Sequence, residues 1–318
     1  MKLNDFRMDV KAALTEPPPH LDYVLPGFLA SSVGALVGPG AAGKTMLLMQ
    51  TACDIAAGAP VSGGILTADF LAEDGAPVVF LLAEESRAVM HHRLQSAIQN
   101  VQSMKEFQNF DACRALVERL NRNLHIYPMG GAGRLVQCGV GTANDEMKAM
   151  AATCEDARLV IIDPLRRFHS GEENDAAHMT VVVEAFERLA TTTGAAVILS
   201  HHTNRSSALA GAGELASASR GSSALTDGVR WQANLSVVNE QTAARFGISE
   251  IERRCLVRLD IAKANYTAAA EPTLLRRDPS SGVLSVWREP RAKPRERLPR
   301  PPRTKSNKPA VARRLHAE

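Results

Sequence analysis

Residues 33–45 read "VGALVGPGAAGKT". An apolar run, Val33 to Val37, gives way to Gly38, Pro39, Gly40, Ala41, Ala42 and Gly43, which carry almost no side chain, and then to Lys44 and Thr45. The spacing satisfies G-x-x-x-x-G-K-[ST], in which bare backbone approaches phosphate groups closely. "KTMLLMQTACDIAA" (44–57) carries apolar residues at helical spacing, and Gly58 supplies a C-terminal stop. Strand, loop and helix therefore stand in the order that a phosphate cradle needs. The segment Gly38 to Met46, through its backbone N–H groups (all but Pro39, which has none) and the positive helix end, is expected to hold a β-phosphate. Lys44 would reach the β/γ oxygens, and Thr45 would ligate Mg²⁺. ATP and Mg²⁺ are the expected cofactors.

The 318 residues exceed the usual ~150-residue domain prior but suit one large α/β domain, and 45% hydrophobic content supports a real core. The N-terminal "MKLNDFRMDVKAALTEPPP" has no apolar stretch of signal-peptide type, and no run of about 18 apolar residues occurs, so a soluble cytoplasmic protein without membrane contact is expected. Five cysteines, Cys53, Cys113, Cys138, Cys154 and Cys255, form no C-x-x-C pair and are odd in number, which favours reduced thiols. Net charge is +3, but it is unevenly spread. From Glu289 onward ten Lys/Arg face three acids, with six prolines and no Phe, Tyr or Trp, which predicts a disordered basic tail over 289–318 able to meet nucleic-acid phosphates.

Beyond the loop, strand and helix patterns alternate. "PVVFLL" (77–82), "HIYP" (125–128), "RLVIID" (158–163) and "AAVILS" (195–200) read as strands. "SRAVMHHRLQSAIQ" (86–99), "NDEMKAMAATCEDA" (144–157) and residues 178–193 read as helices. This alternation predicts a mostly parallel sheet covered on both faces. After residue 229 the strands "VRWQANLSVV", "CLVRLDIAKANY", "TLLRR" and "GVLSVW" follow closely, which predicts an antiparallel extension.

Asp163 ends an apolar strand at the sheet edge where α/β proteins bind ligands, and it is expected to hold Mg²⁺ from the side opposite Thr45. Many NTPases place the water-orienting carboxylate directly after this aspartate, but here the position is Pro164. The base must come from another strand. Glu84, at the end of "PVVFLLAEE", is the first candidate and Glu85 the second.

A P-loop strand, a glutamate on a separate strand and an aspartate on a third resemble the RecA-like core of recombinases and hexameric helicases. "PPPHLDYVLPGFLASSVGALVGPGAAGKT", "HHRL" (91–94), "DPLRRFH" (163–169), "SHH" (200–202), "ASRGSSAL" (218–225), "VRW" (229–231) and "KANY" (263–266) together resemble the plasmid-encoded hexameric replicative helicases of the RepA type, from about Pro17 to Trp287. That resemblance implies a core over 17–288 between an N-terminal arm (1–16) and the tail. It also implies a homohexameric ring on single-stranded DNA, unwinding duplex 5′→3′, with a plasmid primase or initiator as partner.

Site residues follow from the same resemblance. His201 or His202 would sense the γ-phosphate; register with the usual glutamine favours the first, and similarity within the subgroup leaves the second open. The segment "TNRSSALAGAGELASAS" (203–219), too small and polar to form a core, would line the ring channel. Arg205, Ser206, Ser207 and Arg220 would contact DNA phosphates there, with Arg166 and Arg167 beside them. Arg93 and Tyr266 would clamp the adenine. DnaB-type helicases resemble "IAKANY" but carry an arginine finger where Asn265 stands, so Arg230, assisted by Lys263, takes that role in the RepA-type pattern. Two other classes fit the same P-loop: a RecA-like ATPase that binds DNA or a regulatory partner without unwinding, and a small-molecule phosphotransferase.

Overall fold

Val, Ile and Leu dominate segments 78–82, 159–162 and 197–199, the composition of strands buried on both faces. The computed structural model describes residues 3–67, 70–99, 101, 104–131, 145–202, 224–268 and 271–289. A short hairpin, β1 (Tyr23–Leu25) and β2 (Phe28–Leu29), precedes the main strands: β3 (Val33–Gly38), β4 (Val78–Leu82), β5 (Leu124–Pro128), β6 (Leu159–Asp163), β7 (Ala196–His202), β8 (Trp231–Val237), β9 (Leu256–Ala264), β10 (Thr273–Arg277) and β11 (Leu284–Val286). The helices up to β7 are α1 (Val10–Thr15), α2 (Lys44–Ala57), α3 (Arg87–Ala97), α4 (Phe110–Asn123), α5 (Asp145–Thr153) and α6 (Ala176–Thr193). Short helices α7 (Ala224–Gly228), α8 (Glu240–Arg245) and α9 (Glu250–Arg253) follow.

Strands β3 to β11 form one sheet in the order β11-β10-β9-β8-β3-β7-β6-β4-β5. Neighbours from β8 to β5 are parallel, and β9, β10 and β11 are added antiparallel. The sheet is thus mostly parallel with an antiparallel extension, as the pattern of segments predicts. Leu36, Phe80, Ile161 and Ile198 point to the face that carries α2. Val37, Val79, Val160 and Leu199 point to the opposite face, against α6. Residues up to Trp287 form one compact unit. Within it the N-terminal segment makes a 3₁₀ turn at Leu3–Phe6 and helix α1, and neither buries a residue. Apart from Glu289, the predicted tail lies outside the described residues. Among the described residues, no helix is long and apolar enough to cross a membrane.

Two departures from the sequence reading have local causes. Residues 110–123, left without an element, form α4: the Asn109 side chain caps it by accepting from the Ala112 N–H. Leu116 and Leu120, four apart, and Asn123 are its buried residues, on one face of a helix that is otherwise rich in charge. Strand β7 runs two residues further than expected, to His202, because it stays paired with β3 as far as Gly38.

Trp231 joins the hairpin to the sheet. Its ring stacks on Phe28 with centroids 5.1 Å apart, and its indole N–H donates to the Pro26 carbonyl at 2.9 Å. Gly34 makes room for both rings, since a Cβ there would stand 2.9 Å from Trp231 and 3.0 Å from Phe28. Trp231→Ala is expected to lower the unfolding free energy by about 3–5 kcal/mol. Urea denaturation followed by circular dichroism measures this, and an unchanged midpoint would show that the hairpin contributes nothing to the core.

Candidate functional site

Parallel register brings the chemistry to one edge. Gly38 of β3 pairs with His202 of β7, and Leu82 of β4 pairs with Asp163 of β6, so the C-terminal ends of four strands finish together. The cleft there has a volume of about 330 Å³. Ala41 to Met46, Glu84, Glu85, Arg93, Asp163, Pro164, His202, Arg277 and Gly282 line it.

The loop from Gly38 to Gly43 reaches this edge by an unusual backbone path. Ala41 (φ 60°) and Gly43 (φ 98°) occupy the left-handed region, and a Cβ on Gly38 would meet the Leu235 carbonyl at 2.8 Å. Gly43 stands before the first turn of α2 with no side-chain cap, so the helix presents its opening N–H groups to the cleft. Lys44 donates to the Gly38 and Pro39 carbonyls at 2.8 and 3.0 Å, and its Nζ lies 3.5 Å from His202 Nδ1. Burial pulls the Lys44 pKa down to about 8, against the opposing pull of Asp163 and Glu84. Thr45 donates its hydroxyl to Asp163 Oδ2 at 2.6 Å. A hydroxyl and a carboxylate in contact beside a phosphate-sized cleft are hard oxygen donors of the kind Mg²⁺ takes, so Thr45 and Asp163 fit that ion.

The two glutamates diverge. Glu84 accepts from Arg167 Nε at 2.8 Å, whereas Glu85 accepts from Arg93 Nη2 at 2.6 Å. The adjacent histidines diverge as well, as neighbours on a strand must. His202 shares the cleft with Lys44, and burial followed by the Lys44 charge lowers its pKa. His201 is turned to the other face, 1% exposed and 3.7 Å from Glu173 Oε1. Of the pair, His202 is the one beside the phosphate cradle.

Among the described residues, Arg230, Lys263 and Tyr266 do not join the cleft within one chain. Strand β9 is antiparallel to β8 and pairs Ala264 with Trp231, the first residue of β8, whose partner in β3 is Gly34. Arg230, Lys263 and Tyr266 therefore lie at the edge opposite the cradle. About four strand residues, roughly 13 Å, separate Gly34 from Gly38. The clamp of Arg93 with Tyr266 is consequently not formed inside one chain: Arg93 lines the cleft, while Tyr266 is exposed, its carbonyl accepting from the Tyr23 hydroxyl. Arg230 is exposed, and Lys263 donates to the Thr226 and Asp227 carbonyls. Burial and then the neighbouring Arg230 charge lower the Lys263 pKa. Arg166 donates to the Gly171 carbonyl. Arg205, Ser206, Ser207 and Arg220 lie outside the described residues.

Arg277 was not legible as a site residue. It ends β10, which runs in the direction of β3, and its guanidinium donates to the Ala41 carbonyl. The β10–β11 hairpin is fastened over the cradle by Gln50, whose amide accepts from the Leu284 N–H and donates to its carbonyl, each at 2.9 Å. Asp278 closes the turn by accepting from the backbone N–H and hydroxyl of both Ser280 and Ser281, which holds its carboxyl well below the usual carboxylate range. The signal in the sequence is "RRDPSSG", two arginines at the mouth of a tight turn.

Residues 2–208, more than half of the chain, match the family AAA_25, described as an AAA domain. The chain belongs to this family. Three solved structures share the fold of this AAA domain at 14% identity. One, described as "ATPase Domain of G40P", aligns over 81% of this chain and 85% of its own with a TM-score of 0.51. A DnaB-like replicative helicase, described with its interactions with primase, aligns over 80% of this chain and 57% of its own at 0.53. The KaiC-like protein PH0186 from Pyrococcus horikoshii OT3 aligns over 85% and 96% at 0.50. The fold is therefore that of RecA-like P-loop ATPase domains.

A phosphate bound against Lys44 restores its ammonium to the ordinary lysine range, so binding takes up a proton increasingly as pH rises through about 8. Well below that pH the lysine is charged with or without ligand. ADP affinity is expected to fall from pH 8 to 9.5, approaching tenfold per pH unit. Calorimetry in buffers of different ionisation enthalpy measures the uptake, and no uptake at pH 9 would contradict this placing of Lys44.

Proposed function

We propose that this protein is a Mg²⁺·ATP-driven motor of the RepA type. It assembles head to tail into a hexameric ring, translocates 5′→3′ on single-stranded DNA and unwinds duplex in the replication of a plasmid or mobile element. The observation that carries the reading is the division of the candidate residues between opposite edges of one sheet. The cradle, Asp163, Glu84 and His202 stand at one edge, and Arg230, Lys263 and Tyr266 stand at the other. A head-to-tail contact sets the second edge of one subunit against the cleft of the next, and such contacts form a ring when the rotation between subunits closes. Tyr266 then meets the base lying against the neighbour's Arg93, and Arg230 meets the neighbour's γ-phosphate.

Roles in the cleft follow from position. The loop N–H groups and Lys44 hold the β- and γ-phosphates, and Thr45 and Asp163 hold Mg²⁺, which neutralises charge on the phosphate oxygens. Glu84 orients the attacking water and takes its proton, and His202 contacts the γ-phosphate and feels its loss. Segment 203–219, directly after that histidine in the chain, together with Arg166 and Arg167, grips the DNA backbone. The primase named with the DnaB-like neighbour motivates a primase or initiator as the partner of this chain. The alternative reading, a RecA-like DNA-binding or regulatory ATPase that does not unwind, draws support from the KaiC-like neighbour, 96% of which aligns.

Single-stranded DNA is expected to stimulate ATP hydrolysis, and the protein is expected to open a forked duplex with a free 5′ arm. Stimulation without unwinding would favour the alternative, and the absence of both would reject the motor reading. Glu84→Gln is expected to bind ATP and to lower turnover by about 10²–10⁴-fold. If Glu85→Gln shows that loss and Glu84→Gln does not, the base is Glu85.

Shared sites give the ring its own test. Arg230→Ala and Lys44→Ala proteins, each inactive alone, are expected to regain ATPase on mixing, because a mixed interface pairs an intact cradle with an intact arginine. A cation on this transition state is worth about 10³–10⁵-fold in other P-loop NTPases. No recovery where mixed rings are shown to form would count against a finger acting between subunits.

A further inference from the structure

Arg167 stands at the end of the 3₁₀ turn Leu165–Arg167, directly after Asp163 and Pro164. Its Nε donates to Glu84 Oε1 at 2.8 Å, and the two side chains are 55% and 49% exposed. Arg166 turns elsewhere, to the Gly171 carbonyl. The segment is anchored at its start, where the Asp163 carbonyl accepts from the Ala83 N–H and the Asp163 carboxylate from Thr45. Further along it, Glu173 approaches His201 at the end of β7. One surface segment therefore touches the metal-side carboxylate, the candidate base and the sensor strand. It holds the base by the only one of these contacts whose two side chains are both about half exposed.

A guanidinium bond to one carboxylate oxygen fixes the orientation of the whole carboxylate, and turning it to a water at the γ-phosphate gives that bond up. In hydrolysis the water oxygen bonds to the γ-phosphorus, the bond from that phosphorus to the β–γ bridging oxygen breaks, ADP leaves with the bridging oxygen, and the water proton passes to Glu84. We propose that Arg167 is a positioning residue that clasps Glu84 away from this water, and that a phosphate of single-stranded DNA releases the carboxylate by taking the guanidinium. The proposal rests on the reading of the chain as a DNA-stimulated ATPase and assigns how DNA reaches the hydrolytic step. Charge and shape favour the exchange: the pair with Glu84 is made through Nε, while a phosphate accepts two N–H bonds from the guanidinium fork. An ion pair this exposed biases an equilibrium by no more than about fivefold and is screened by salt. The clasp is thus weak enough to be undone by a single phosphate.

The test is steady-state ATPase of the full-length wild-type, Arg167→Ala and Arg167→Lys proteins, with and without a thirty-nucleotide oligo-dT. Without DNA at 50 mM NaCl, Arg167→Ala is expected to raise kcat about two- to fivefold with KM for ATP within twofold, and to lose DNA stimulation by the same factor. Arg167→Lys, which restores a cation, is expected to return the basal rate toward wild type. The ratio of Arg167→Ala to wild-type basal rates is expected to approach one at 300 mM NaCl, a response that a merely structural arginine would not give. An Arg167→Ala basal rate equal to or below wild type, with wild type still stimulated by oligo-dT, overturns the clasp and leaves the motor reading standing. A wild type that oligo-dT does not stimulate rejects the DNA half of both, whatever the basal rate of the variant.

Discussion

Parallel hydrogen bonding between β3 and β7 and between β4 and β6 is the constraint on which the rest depends. A parallel ladder fixes which residues finish level with one another, and here Gly38, His202, Asp163 and the approach to Glu84 finish at one edge. Each strand alone is a short apolar run with a polar residue at its end. Only the register turns four such ends into a cleft. The energy that holds the register comes from burial on both faces, where Leu36, Phe80, Ile161 and Ile198 meet α2 and Val37, Val160 and Leu199 meet α6. The polar ends are carried by a core that has no part in their chemistry, and so their geometry is stiff.

The antiparallel extension serves a different purpose from the parallel half. Because β9 reverses direction, it delivers Lys263 and Tyr266 to the far edge, beside Arg230 at the start of β8. Because β10 reverses again, Arg277 returns to the near edge and reaches the Ala41 carbonyl. Two reversals thus serve both edges of one sheet. The hairpin that carries Arg277 is fixed through Gln50 of α2, so two hydrogen bonds join the cradle helix to the extension.

Electrostatics in the cleft is governed by burial as much as by charge. Lys44 is almost fully enclosed, and the loss of water is the larger influence on it, with Asp163 and Glu84 only partly compensating. His202 feels the same enclosure together with the repulsion of Lys44. Both groups are thus poised to gain from an anion. The carboxylates are instead committed to partners, Asp163 to Thr45, Glu84 to Arg167 and Glu85 to Arg93.

Local sequence determined the phosphate loop, because its function rests on residues that lack side chains and on a fixed spacing to Lys44 and Thr45. It determined the alternation of strand and helix for the same reason: hydrophobic period and turn residues are properties of neighbours along the chain. Asp163 and Glu84 were legible because an apolar strand that ends in a carboxylate has one edge at which to place it. Sequence did not decide between His201 and His202, since adjacent strand residues differ only in the face they take, and that follows from the pairing of Gly38 with His202. It did not reveal that Tyr266 and Arg93 occupy opposite edges, which follows from the direction of β9. Nor did it reveal Arg277, brought to the loop from 236 residues away by a second reversal. Contacts of that kind depend on strand order and direction, which arise from the packing of the whole sheet and leave no local trace in the chain.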